Sequence, residues 1–323
     1  MTLAEEAPRR ARPEEGLMAE ELLDSTFLSR LERLRLLTRK AFRGQLKGEK
    51  RSKKRGTSIE FADYRDYVRG DDLRRVDWNV YARLERPFVK LFEEEEDLAV
   101  HVIVDASRSM NWPDESSGVD ADSAKQRNKF QYAVRLAAAL GHIALAAGDR
   151  ATVTAISGGG LPTTRFGPSR GRGATGRLIK FLGGLKSEGV TDLDGALRNY
   201  ALASNRAGLA FVITDLFSPG YQSGLSALQS KGHEVGLIHI LAPEEVDPPL
   251  AGDLRLLDVE TGDPQDVSVD GPLRELYQRR VQAWRDEIEA YCLKRGVHYV
   301  PVTTDGKWDE VVLFQMRKMG LVK

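Results

Sequence analysis

The chain has a single cysteine, Cys292, which excludes a disulfide scaffold and a multi-cysteine zinc site and fits a reducing compartment. Its five histidines show no metal-ligand spacing, and His101 falls inside an apolar run where it reads as a core histidine. Charge of neither sign is in excess. Forty-eight Lys and Arg stand against 48 Asp and Glu, so no global pull toward nucleic acid or a membrane surface is expected. No run approaches the roughly 18 apolar residues that a membrane span requires. Residues 1–16 carry charge and proline with no apolar stretch, unlike a signal peptide. No G-x-S-x-G elbow occurs and no general base stands out, so catalysis has no evident machinery. What remains is a balanced composition, 41% hydrophobic and 30% charged over 323 residues, typical of a soluble folded chain. We expect a cytoplasmic protein with no membrane span.

The most informative stretch runs from Leu98 to Met110, LAVHVIVDASRSM. A short, continuous, β-branched-rich apolar run reads as a strand buried on both faces, as in a parallel sheet. It ends in Asp105, with Ser107 and Ser109 at the next alternate positions. Ligands of open parallel sheets bind beyond the carboxyl ends of the strands. One carboxylate and two hydroxyls there make a hard-oxygen cluster suited to Mg²⁺ or Mn²⁺. A second apolar run, Leu209 to Thr214, ends in Asp215 in the same way. The loop Gly189 to Gly195 precedes a helix and offers a further hydroxyl, Thr191, while Asp192 and Asp194 read as capping and turn residues. If the two strands flank the point where strand order reverses, Asp105, Ser107, Ser109, Thr191 and Asp215 converge.

Apolar and polar patterning divides the chain into a flexible tail at 1–18, an N-terminal module at 19–97 and a main domain at 98–323. Leu23, Phe27, Leu28, Leu31, Leu34 and Leu37 give a helical stripe across 20–42. Arg39 to Arg55 is basic and glycine-punctuated; with Phe42 as its one aromatic it reads as a solvated loop rather than a nucleic-acid surface. Gly56 to Leu84 packs Phe61, Tyr64, Tyr67, Trp78 and Tyr81 among many Asp and Arg, a compact hydrogen-bonded module. Residues 111–128 read as a surface loop, 130–147 as a helix, and 161–172 as a loop with a short strand at 163–166. From there helices at 177–185, 193–204, 224–231, 272–295 and 308–319 alternate with strands at 209–214, 234–241 and 297–302. Two further strand-like pieces, 254–259 and 266–269, form a small β extension. This alternation predicts an α/β fold, a doubly wound and mainly parallel sheet with right-handed crossovers.

Two motifs are decoys. Gly171 to Gly176 spells G-x-G-x-x-G, yet no buried strand precedes it, and Arg177-Leu178 replaces the Lys-Ser/Thr of a phosphate loop. Arg69-Gly70-Asp71 is an adhesion tripeptide by spelling alone. A phosphoaspartate hydrolase would want a second acid two residues after its nucleophile, where Ser107 stands. A metal-dependent phosphoryl hydrolase at the same crevice is therefore the alternative reading, not the leading one.

Asp105-x-Ser107-x-Ser109, the threonine loop and the Thr214-Asp215 strand end together resemble the metal-ion-dependent adhesion site of von Willebrand factor A domains. The resemblance implies that Ser107, Ser109 and Thr191 ligate the metal, with Asp105 and Asp215 acting directly or through water. Leu216 departs from it, standing where many A domains have glycine. Glu60-Phe61, Tyr67, Gly70-Asp71-Asp72, Arg74 and Asp77-Trp78 are similar to the signature of the bacterial domain-of-unknown-function family fifty-eight. That family is A-domain-like and is commonly encoded beside MoxR-type AAA+ ATPases. Together the two likenesses cover about residues 20 to 320. They imply a von Willebrand factor A-like domain at 98–323 and a non-enzymatic, metal-dependent interaction module. The implied partner presents an acidic residue and is a MoxR-type ATPase or its client, in assembly or maturation of a complex.

Overall fold

The computed structural model describes residues 24–38, 59–94, 97–114, 117, 119–157, 162–249, 252–257 and 264–323. The tail expected at 1–18 and the basic segment 39–55 lie outside the described residues. The chain divides into two compact units, Phe42–Asp97 and a larger one made of Met1–Ala41 with Leu98–Lys323.

Helix α1 (Ser25–Leu31) opens the described chain and belongs to the larger unit, although the sequence groups it with the module at 19–97. It is far shorter than the helix expected over 20–42. Beyond Leu31 the backbone turns and pairs with the C-terminus: Arg35 N–H donates to Lys323 O at 3.0 Å, and Leu37 N–H to Leu321 O at 2.8 Å. Leu34 is buried, but it is Leu36, paired with Val322, that is buried after it, while Leu37 of the expected stripe is exposed, so the helical face ends at Leu31 and the bridged segment beyond it sets which leucines are covered.

In the smaller unit, strand β1 (Ile59–Asp66) pairs antiparallel with β2 (Phe88–Glu94), and helix α2 (Trp78–Leu84) lies between them in sequence. Its carboxylates are structural. Asp77 caps α2 by accepting from Asn79 N at 3.0 Å and Val80 N at 3.3 Å, and takes the Tyr64 hydroxyl at 2.8 Å. Asp71 accepts from Arg65 and from Val68 N, both at 2.9 Å.

The larger unit is an α/β layer structure. Strands β3 (Ala99–Asp105), β4 (Arg150–Ile156), β5 (Pro162–Arg170), β6 (Leu209–Thr214) and β7 (Glu234–Leu241) enter a six-stranded sheet. A separate hairpin of β8 (Gly252–Leu257) and β9 (Pro264–Val269) precedes the last sheet strand, β10 (His298–Thr303). The order is β10-β7-β6-β3-β4-β5, parallel except for β5, which runs antiparallel to β4. β5 is nine residues long where sequence suggests four; its two register shifts on β4 and its exposed edge position blur the alternation that marks a strand.

Helices cover both faces, which explains why all seven residues of β3 are buried. Val100, Val102 and Val104 enter one core with α3 (Ala121–Arg127) nearby and α4 (Lys129–Ala146) and α5 (Thr175–Gly183) packed on it. Ile103 enters the other, with α6 (Leu193–Ala203), α7 (Tyr221–Ser230) and the later helix Gly271–Arg295, where Cys292 is a buried packing residue. The stretch 111–128 therefore contains a helix, α3, started by Asp120 accepting from Ser123 N at 2.9 Å.

His101 sits on the second face. Its Nδ1 is 2.8 Å from the Tyr200 hydroxyl and its Nε2 is 3.1 Å from the Arg206 carbonyl. Burial, then the neighbouring His233, hold its pKa down to about 3. The ring is neutral, with Nε2–H donating to the carbonyl. An unfolded histidine titrates near 6.5, so this contribution to stability is whole above about pH 6.5 and drains away as pH falls toward 3. The stability advantage of wild type over the non-titrating His101→Gln variant should shrink by about 1.4 kcal/mol per pH unit between pH 6.5 and 4. Urea midpoints across that range test this; an advantage that stays flat overturns it.

Candidate functional site

Strand order reverses at β3. β4 and β5 lie to one side of it, and β6, β7 and β10 to the other. β3 and β6 are parallel neighbours with Val104 opposite Ile213, so their carboxyl ends open into the same crevice. Asp105, Ser107, Ser109, Thr191 and Asp215 are all buried there or in the adjoining loop.

Asp105 closes β3. It accepts from Ser107 N at 3.0 Å and from the Thr214 hydroxyl at 2.7 Å, which links the two strand ends directly. Burial, then the nearby Asp215 carboxylate, push the Asp105 carboxyl up to about 6 against the pull of those two donors. The Ser107 and Ser109 hydroxyls are 3.0 Å apart on a single turn of 3₁₀ helix. After β6 the backbone bends sharply at Leu216, which takes φ 59°, the left-handed region that a glycine would enter without strain. Leu216 N–H donates to the Thr214 hydroxyl at 3.1 Å, and Phe217 N–H to Asp215 Oδ1 at 3.1 Å, so the bend is built around the two site residues.

The third loop threads between the other two. Arg108 N–H donates to Gly189 O and Glu188 N–H to Ala106 O, both at 2.9 Å, and the Ser187 hydroxyl donates to Ser107 O. On its other side the Ser218 hydroxyl donates to Thr191 O at 2.9 Å. Thr191 Oγ1 is buried and has no hydrogen-bond partner. Asp192 caps α6 through Gly195 N at 2.9 Å, and Asp194 accepts from Ser223 Oγ and Gly224 N, so both are structural as expected.

Sequence reasoning missed Lys129 and Glu245. Lys129, the first residue of α4, is fully buried, and its ammonium donates to Asp215 Oδ2 at 2.8 Å and to Glu245 Oε1 at 2.6 Å. It also lies 4.7 Å from the centroid of the Phe217 ring. Burial works to lower its pKa, but Asp215 and Glu245 together raise it above the ordinary lysine value, so it stays charged. Asn128 holds it in place by capping α4 at Gln131 N (3.1 Å) and donating to Asn111 Oδ1 (2.9 Å) and Pro113 O (3.0 Å). Glu245 is oriented in turn by Ala242 N–H at 2.8 Å. A lysine directly ahead of an alanine-rich helix was the available signal; its partners lie 86 and 116 residues away, beyond any periodicity.

No group of three or more His, Cys, Asp or Glu among the described residues could hold a metal ion. The donors here are instead three hydroxyls beside two carboxylates. That is the donor class a hard divalent cation takes, and the buried, unpartnered Thr191 hydroxyl suits a role as one of its ligands.

Fold and site together define an α/β protein with an oxygen-lined crevice at the carboxyl edge of a parallel sheet. The chain belongs to the family described as protein of unknown function DUF58, whose model matches residues 63–287. Uncharacterized proteins of Mycobacterium tuberculosis and Mycobacterium bovis are each 28% identical to it over 303 residues, 92% of this chain and 92% of theirs. Among solved structures it is similar to the conserved hypothetical protein BatB from Bacteroides thetaiotaomicron, at 15% identity and a TM-score of 0.37 over 69% of this chain and 98% of that one. It is also similar to an aerotolerance-related membrane protein from Bacteroides fragilis, at 15% identity and a TM-score of 0.39 over 69% and 100%. No helix among the described residues is long and apolar enough to cross a membrane.

A buried hydroxyl without a partner is destabilising, and an isosteric methyl removes that penalty. In metal-free buffer Thr191→Val should therefore stabilise the fold by about 1 kcal/mol, read as a raised thermal midpoint. A lowered midpoint would show that the hydroxyl is satisfied.

Proposed function

We propose that this crevice takes a Mg²⁺ or Mn²⁺ ion and grips an acidic side chain of a protein partner, as the adhesion site of von Willebrand factor A domains does. The observation that carries the reading is the buried, unpartnered Thr191 hydroxyl in the loop that ties the serine loop to the Asp215 loop. Ser107, Ser109 and Thr191 would hold the ion through neutral oxygens, with Asp105 and Asp215 acting directly or through water. Once bound, the ion supplies an electrophilic centre whose charge the hydroxyls leave largely unspent. The serine and threonine loops are already cross-tied by backbone hydrogen bonds, and the Ser218 and Thr214 hydroxyls tie the Asp215 loop to them, so the residues need little ordering on binding.

The partner in this reading is a MoxR-type AAA+ ATPase or its client, in assembly or maturation of a complex, which is what the family resemblance implies. The compartment that goes with an ATP-driven partner is the cytoplasm. The buried Lys129 ammonium already engages Asp215 Oδ2, which leaves that carboxylate ill placed as a free general base and favours a grip over a hydrolase.

Mn²⁺ binding followed by electron paramagnetic resonance should fall at least roughly tenfold in Ser107→Ala/Ser109→Ala, about 1.4 kcal/mol or more. Capture of a co-encoded MoxR-type ATPase by wild type should be lost with EDTA and restored by Mg²⁺. Metal-independent capture would sink the mechanism.

A further inference from the structure

A fully buried ammonium beside a candidate cation site is an unexpected neighbour. Like charges repel strongly where water is excluded, and an aliphatic residue would fill the volume with no such repulsion. Yet the chain invests in it: Asn128 fixes the start of α4, Ala242 orients Glu245, and the Phe217 ring packs near the charge. Lys129 spans two carboxylates, and one of them, Asp215, faces the crevice's own residues through the Phe217 N–H turn.

We propose that Lys129 is a resident counter-cation that tunes the crevice for an anionic partner, weakening its hold on a divalent ion alone and strengthening its hold on an ion already joined by a carboxylate. This rests on the metal-grip reading above. The charges carry the argument. Among the described residues Asp105, Asp215 and Glu245 are opposed by Lys129 alone, so adding a divalent ion brings the group to formal neutrality. Without Lys129 the same loaded site keeps a net negative charge, which repels an incoming carboxylate. Lys129 thus exchanges affinity for the bare ion against affinity for the ternary state. Metal and acidic ligand then bind cooperatively, each raising the other's affinity by the same factor.

Glu245 sets the strength of this device. It shares the ammonium at 2.6 Å, so part of the Lys129 charge is directed away from Asp215. Removing its charge leaves the ammonium opposed by Asp215 and Asp105 only, and the crevice takes up a cation less readily. The two substitutions are therefore expected to act in opposite directions, which simple loss of fold cannot imitate.

The test uses the full chain, with Mn²⁺ as the metal probe and acetate as the carboxylate probe, at pH 8 so that the carboxylates are ionised. Lys129→Met should bind Mn²⁺ at least roughly tenfold more tightly than wild type, and Glu245→Gln several-fold more weakly. Acetate should tighten Mn²⁺ binding by wild type and have little effect on Lys129→Met. Far-ultraviolet circular dichroism checks that each variant is folded; if Lys129→Met is not, the Glu245→Gln arm and Lys129→Arg, which should keep wild-type behaviour, decide. Unchanged or weaker Mn²⁺ binding in folded Lys129→Met, or tighter binding in Glu245→Gln, overturns the proposal. If both variants match wild type while Ser107→Ala/Ser109→Ala abolishes binding, the counter-cation role fails and the metal grip stands. If wild type itself binds no Mn²⁺, both fail.

Discussion

Two carboxylates that end neighbouring strands in a dry crevice must be neutralised, and much of the local structure follows from that demand. β3 and β6 run parallel and adjacent, which brings Asp105 and Asp215 into one low-dielectric space. Unpaired buried carboxylates would each be destabilising by several kcal/mol. Asp105 is met by a hydroxyl from the end of β6 and a backbone N–H from its own loop. Asp215 is met by an ammonium and by the Phe217 N–H. The pairing of Lys129 with Asp215 and Glu245 binds the start of α4 to the ends of β6 and β7, so helix placement and site electrostatics are one problem with one solution. Burial, and after it repulsion from Asp215, still hold the Asp105 carboxyl up at about 6.

The same crevice concentrates local departures from ordinary folding rules. Leu216 takes a left-handed backbone that for a non-glycine residue is strained by roughly 1–2 kcal/mol. Its side chain is nonetheless buried in the second core, so packing holds the strained turn in place. A position that glycine would occupy without strain is thus filled by a residue that gains apolar contact and keeps the bend, because Thr214 and Asp215 accept its N–H and that of Phe217.

The elements that pack on both faces were the most legible in sequence. β6 and β7 fall where their apolar runs fall, and β3 begins one residue into its run, because burial on both sides leaves no polar alternation to confuse. Reading failed where a partner far along the chain decided the outcome. Leu34 and Leu37 keep helical spacing from Leu31, but residues 35–37 pair with residues 321–323. The edge strand β5 lost its pattern to register shifts and exposure. At the site, Asp105, Ser107, Ser109, Thr191 and Asp215 could be named from strand-end chemistry, and their loops are tied together in the structure. Lys129 and Glu245 could not, since a charged residue at a helix start normally reads as solvated and nothing local announces a carboxylate 116 residues away.

Stability alone does not explain this crevice. Valine at 191 would fill the same space without an orphaned hydroxyl, glycine at 216 would relieve the backbone, and an aliphatic side chain at 129 would pair with neutral residues at 215 and 245. Each of these three alternatives is locally simpler, and each is declined within a few residues of the same strand ends. Sequences that satisfy local rules elsewhere and break several of them at one place do so where function constrains them. Elsewhere in the large unit buried valines, leucines and isoleucines fill both cores, and Asn128, Asp120 and Asp192 cap their helices, although Tyr132 and Thr304 also bury hydroxyls without a partner. What sets the carboxyl ends of β3 and β6 apart is that an orphaned hydroxyl, a left-handed leucine and a buried ammonium occur together there, which supports the proposed site without appeal to any family likeness.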